Sequence, residues 1–145
     1  MQKINIERHA TAQINMLANK LMMKSSSAYT QNFGIGMMEW RVIAVLSNNP
    51  NSSLQVVSDI LGLDKAAISR TIKKLEEKKY ISIDGDETDK RVYVINLTNS
   101  GKELYEVAAD FAIEREKQLL ENLNEEEKDQ LFKLLRILRN KVDTM

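Results

Sequence analysis

Apolar residues recur along most of the chain at the three- and four-residue spacing of helices that bury one face. The first run, about Glu7 to Lys24, sets Ala10, Ile14, Leu17 and Leu21 on one stripe. A polar, glycine-containing stretch from Ser25 to Gly36 is expected to interrupt it. A second helix is expected near Met37 to Ser47, with Trp40, Ile43 and Leu46 or Ser47 sharing a face. Asn48-Asn49-Pro50-Asn51 reads as a turn, since Pro presets the backbone and Asn tolerates turn geometry.

From Ser53 the elements shorten. Leu54, Val57, Ile60 and Leu61 keep helical spacing, and Gly62 is placed to end that helix in the left-handed conformation. Asp64 suits the N-cap of the next helix, whose inner side is set by Ile68, Ile72 and Leu75. After Tyr80 the period falls to two: Ile81 and Ile83 alternate with polar residues, as do Tyr93, Ile95 and Leu97 with Val94 and Asn96. The polar Asp84–Lys90 stretch between them makes a hairpin. Helical spacing then resumes, capped by Thr98 or by Ser100 with Glu103, and carries Leu104, Val107 or Ala108, Phe111, Leu119, Leu120 and Leu123. Asn124 with Glu127 opens a last helix striped by Leu131, Leu134 or Leu135, Leu138 and Val142. The expected fold is mainly α with a small β-hairpin wing: a winged helix-turn-helix flanked by N- and C-terminal helices.

Composition narrows the function classes. The chain has 145 residues, five Gly, one Pro and no Cys, which excludes disulfides and thiolate metal sites. It carries no apolar run of the roughly 18–20 residues that a membrane span needs, and Met1 to Ala10 lacks the apolar core of a signal peptide. A cytoplasmic protein is expected. The formal net charge is 0, but residues 1–53 hold five Lys/Arg and two Asp/Glu, 54–97 eight of each, and 98–145 eight and eleven. A single domain over 1–145 is expected, with a DNA-reading lobe at about 37–97 and a helical lobe from about 1–30 and 98–145.

The neutral middle segment conceals a positive face. Opposite Ile68, Ile72 and Leu75 the helix presents Lys65, Ala66, Ser69, Arg70 and Lys73, with Lys74 flanking; Glu76 and Glu77 come late. Small residues let a helix sit deep in a major groove about 12 Å wide, Arg can fork onto guanine, and Lys can reach phosphate. The wing tip ends in Asp89-Lys90-Arg91, and an Arg on a protruding loop suits the narrow minor groove. Asp89 is expected to pair with Arg91 or a backbone amide and hold the Arg outward.

Four segments in order carry a resemblance: Val57-Ser58-Asp59-Ile60-Leu61-Gly62-Leu63-Asp64-Lys65, Ile68-Ser69-Arg70-Thr71-Ile72-Lys73-Lys74-Leu75-Glu76-Glu77-Lys78, Asp89-Lys90-Arg91, and Leu97-Thr98 with Gly101. The sequence closely resembles the MarR family of winged helix-turn-helix regulators over nearly its whole length. The resemblance implies an obligate homodimer with interlocked first and last helices, major-groove contacts through Ser69, Arg70 and Lys73, and a minor-groove Arg91. It departs from the family at Lys79, where Gly is common, and at Lys90, where a second Arg is frequent. Lys79 is expected to cost about a few tenths of a kcal/mol in the helix C-cap.

The resemblance also implies an effector pocket between the dimer helices and the DNA-reading lobe, where Tyr29, Phe33, Met37 and Trp40 cluster in sequence. A Trp at helical spacing from Ile43 equally suits a core, and Met22, Met23, Met37 and Met38 equally suit gap-filling. His9, the one histidine, reads as a surface or interface residue on a terminal helix. The acidic loop Asp84, Asp86, Glu87, Asp89 lacks the glycine placement and closing Glu of a calcium loop, so no metal is expected. With one His, no Cys and no Gly-rich phosphate loop, neither a cofactor nor an enzyme activity is expected. The expected function is a sequence-specific double-stranded DNA-binding transcriptional regulator, a repressor that meets a pseudo-palindromic operator as a homodimer and answers a small aromatic or anionic effector. The alternative is a winged-helix module that docks protein.

Overall fold

Among the described residues, the helical spacings become six α-helices and the period-two segments become two strands. The computed structural model describes residues 1–85 and 93–145. After a 3-10 turn at Ile6–Arg8 come α1 (Ala10–Phe33), α2 (Met37–Asn48), α3 (Leu54–Leu61), α4 (Lys65–Glu77), β1 (Ile81–Gly85), β2 (Tyr93–Leu97), α5 (Asn99–Leu120) and α6 (Glu125–Val142). The chain divides into two compact units, Met1–Ala108 and Ala109–Met145. Among the described residues no helix is long and apolar enough to cross a membrane.

The first helix differs from expectation at both ends. It begins at Ala10 rather than Glu7, because the His9 Nδ1 accepts from the Ala12 N–H (3.3 Å) and caps it. His9 is thus a half-buried N-cap rather than a residue within the helix. The helix does not break at Ser25 but runs on to Phe33. Its polar side chains bond back onto the helix: the Thr30 hydroxyl donates to the Ser26 carbonyl (3.0 Å) and the Asn32 amide to that of Ala28 (2.8 Å). Ser25 and Tyr29, four residues apart, form its buried side. Gly34, at φ +67°, is the actual stop.

The core of the first unit is built around α2, whose Val42 and Ile43 are completely buried, with Leu46 close behind. Val57 of α3, Ile68, Ile72 and Leu75 of α4, and Ile81, Ile95 and Leu97 of the hairpin complete it. The α3–α4 turn is closely specified. Ser53 caps α3 through the Val56 N–H, Gly62 ends it at φ +67°, and buried Ser58 donates its hydroxyl to the Leu63 carbonyl. Asp64 then accepts from the Ala67 N–H at 2.8 Å and caps α4.

At the far end of α4 the Tyr80 N–H donates to the Leu75 carbonyl (3.0 Å) and the Lys79 N–H to that of Glu76 (2.9 Å). This is a Schellman arrangement, and it puts Lys79 at φ +64°, the conformation for which Gly is suited.

The strands pair antiparallel, Ile81 with Leu97 through Gly85 with Tyr93. A separate antiparallel bridge joins Ser52 to Ile95 by mutual backbone bonds of 3.3 and 2.8 Å, tying the α2–α3 turn to the sheet. Thr98 rather than Ser100 caps α5: its Oγ1 accepts from the Gly101 N–H (3.1 Å) while its hydroxyl donates to the Lys79 carbonyl (2.7 Å). Of the two alternatives on α5, Ala108 is buried and Val107 is exposed. In the second unit Asn124 and Glu127 form the expected capping box of α6. That helix has no buried residue, and Phe132, Leu134, Leu135, Ile137, Leu138 and Val142 are all exposed.

Candidate nucleic-acid interface

Burial of Ile68, Thr71, Ile72 and Leu75 fixes the rotation of α4 about its axis. Everything else on the helix surface follows from that. Lys65, Ala66, Ser69, Arg70 and Lys73 fall on the outer side, Lys74 lies at its margin, and all six are exposed. None of the four cations has an ion-pair partner among the described residues. Glu76 and Glu77 are exposed at the last turn, away from the capped N-terminal end. The outer side is therefore cationic from Lys65 to Lys73 and turns acidic at Glu77, with Ala66 and Ser69 leaving the backbone unshielded near its start. Such a surface can approach a phosphate-lined groove closely and still present an Arg fork.

Lys90 and Arg91, with Asp89, lie outside the described residues. The last described rung below them is Gly85 opposite Tyr93, where the tyrosine ring lies across the glycine: a Cβ on Gly85 would stand 2.7 Å from the ring's Cε1. This packing supplies side-chain contact where the glycine has none and fixes the register at the base of the wing.

The four residues expected near an effector separate into two environments. Trp40 is a core residue, 8% exposed, and stacks between Tyr29 (centroids 5.6 Å apart, planes at 20°) and Tyr105 (5.8 Å, 16°). Phe33 tilts against Tyr29 at 6.0 Å. Phe33 and Met37 are half-buried. Tyr105 completes the stack from α5, a contribution that the spacing of Leu104 and Ala108 did not single out. The same ring lines a cavity of about 450 Å³ together with Leu46, Pro50, Asn96, Leu97 and Lys102. Tyr29, Phe33, Met37 and Trp40 do not line it.

One further contact links the two regions. Lys78, directly after α4, places its ammonium 2.8 Å from Oε2 and 3.1 Å from Oε1 of Glu39 on α2, and donates as well to the Gly34 carbonyl at 3.1 Å. Glu39 is buried, and its Oε1 also accepts from the Gly36 N–H (3.1 Å). Periodicity has no means of detecting a pair 39 positions apart.

Known proteins agree with this geometry. Residues 33–92 match the model of the MarR family. The chain is 74% identical to a MarR/EmrR family transcriptional regulator from Acinetobacter sp. ADP1, whose crystal structure superposes with a TM-score of 0.92 over 98% of this chain and 100% of that one. It is 30% identical over 108 residues to the transcriptional regulator BilQ of Clostridium symbiosum, covering 74% of this chain and 75% of BilQ. The S. aureus MepR–DNA complex shares the fold at 24% identity and a TM-score of 0.79, over 94% of this chain and 98% of MepR. On its identity to the Acinetobacter regulator over nearly its whole length, the chain belongs to the MarR family of transcriptional regulators.

Proposed function

We propose that this regulator binds a specific double-stranded DNA operator as a homodimer and represses transcription until a small effector releases it. The observation that carries the reading is the outer side of α4: four exposed cations without ion-pair partners among the described residues, interspersed with Ala66 and Ser69. Lys65, Lys73 and Lys74 would meet phosphates, Ser69 and Arg70 base edges, and Lys90 and Arg91 of the wing the adjacent minor groove. MepR, of the same fold, has been solved on DNA, which supports this use of the architecture. Apolar surface that one chain leaves uncovered, on α1 at Ile14, Met16 and Leu17 and on α6 from Phe132 to Val142, supports the dimer. Twofold symmetry then calls for a pseudo-palindrome with half-sites about 10 bp apart.

An effector of small aromatic or anionic character suits the half-buried Phe33 and Met37 beside the Tyr29–Trp40 stack. It would act by binding more tightly to a dimer whose two α4 helices are wrongly spaced for DNA. The test is selection of bound duplexes from a random pool by the purified protein. A twofold-symmetric sequence should be enriched, and Arg70→Ala should lower affinity for it by about 1–3 kcal/mol and relax the preference at one position. Enrichment of no sequence would favour a winged helix that docks protein.

A further inference from the structure

Lys78 restores positive charge after Glu76 and Glu77, and by charge alone it reads as another phosphate contact. The geometry points to a different role: Glu39 and Lys78 form a positioning pair that ties the C-terminal end of α4 to the α1–α2 corner and sets the angle at which the outer face of α4 is presented. Three features carry this.

The ammonium has three donors, and its contacts at 2.8, 3.1 and 3.1 Å all go to this corner, to both carboxylate oxygens of Glu39 and to the Gly34 carbonyl. Lys65, Arg70, Lys73 and Lys74 have no such ties among the described residues. The carboxylate is buried and takes a further bond from the Gly36 N–H, so it is held in place before Lys78 reaches it. A held, desolvated acceptor orders a long side chain better than a mobile surface one does. Finally, the pair closes on segments that are themselves fixed. Gly34 ends α1, Glu39 stands in the first turn of α2, and Lys78 begins the Schellman turn whose Lys79 and Tyr80 N–H groups are bonded to α4.

The corner from 34 to 36 lies between Phe33 and Met37, so displacement of those two side chains would be passed through Glu39 to Lys78 and the end of α4. A residue used in this way changes how well α4 fits the groove, without adding to the number of phosphates neutralised.

The inference rests on the DNA-binding reading, and the two are separated by running wild type beside the variants. Affinity for the selected duplex is measured over a series of salt concentrations for wild type, Glu39→Gln, Lys78→Met and the double variant, with Lys73→Ala as a phosphate-contact control. Glu39 and Lys78 acting as a unit predicts that each single change weakens binding about tenfold at fixed salt. The slope of log K against log salt should stay at the wild-type value, and the double variant should bind no more weakly than Lys78→Met. Lys73→Ala should instead lower the slope by about one.

A slope lowered by about one in Lys78→Met, with Glu39→Gln binding as wild type, would make Lys78 a phosphate ligand and overturn the inference. So would single variants that both bind as wild type, or losses that add in the double variant. Wild type binding no duplex would remove the DNA-binding reading itself. Should Lys78→Met fail to fold, the isosteric Glu39→Gln, which keeps an acceptor for the Gly36 N–H, decides by the same affinity and slope criteria.

Discussion

A methyl group on Gly101 would lie 2.0 Å from the carbonyl oxygen of Tyr80 and 3.0 Å from its carbon. Both are backbone atoms, and the same carbonyl accepts from the Thr98 N–H at 3.0 Å, so neither side can give way easily. Gly101→Ala should therefore destabilise the fold by about 1–3 kcal/mol, read as a lower urea midpoint with the slope unchanged. Lys79 is the opposite case. It holds φ +64° with a Cβ that this region disfavours, so Lys79→Gly should raise stability by about 0.5–1 kcal/mol after the entropy that Gly adds to the unfolded chain. The family resemblance singled out both positions, and the Gly that is common where Lys79 stands pointed to the strained helix end found there. The reason for Gly101 was not foreseeable, because it depends on a carbonyl 21 positions earlier arriving beneath the first turn of α5.

Among the elements, α4 was the most legible: its cap at Asp64, its buried side at Ile68, Ile72 and Leu75, and hence its exposed side, with buried Thr71 the member that an apolar period passes over. A strong cap and a regular apolar period leave little freedom. The boundaries of α1 were not legible, since serine, threonine and asparagine favour turns in isolation yet here bond to carbonyls of their own helix. The start of α5 was legible only to within two residues, and the bond from the Gly101 N–H decides for Thr98. The cap of α4 has consequences beyond stability, because Lys65 and Ala66 stand in the turn it organises. Asp64→Ala should cost about 1 kcal/mol of stability, measurable by thermal or urea unfolding, and should weaken duplex binding through fraying of that turn. Asp64→Asn, which retains the acceptor, should restore most of both.

For the whole molecule, the sequence pattern identified helices with apolar stripes beyond what a DNA-reading lobe must cover. The structure leaves those stripes exposed: Ile14 and Leu17 on α1, and Leu134, Leu138 and Val142 on α6. A chain of this size does not ordinarily leave such apolar stripes in water, which is the physical basis for the proposed homodimer. The aromatic cluster was only partly legible. Sequence proximity brought Tyr29, Phe33, Met37 and Trp40 together, but stacking by Tyr105 comes from a helix 65 positions after Trp40. The most direct test of the central claim, that α4 reads duplex DNA through a cationic outer side, is the salt dependence of affinity for the selected operator. A cationic reading helix should give a steep linear fall of log K with log salt, amounting to about 10³-fold or more between about 50 and 200 mM. An affinity that does not change over that range would contradict it.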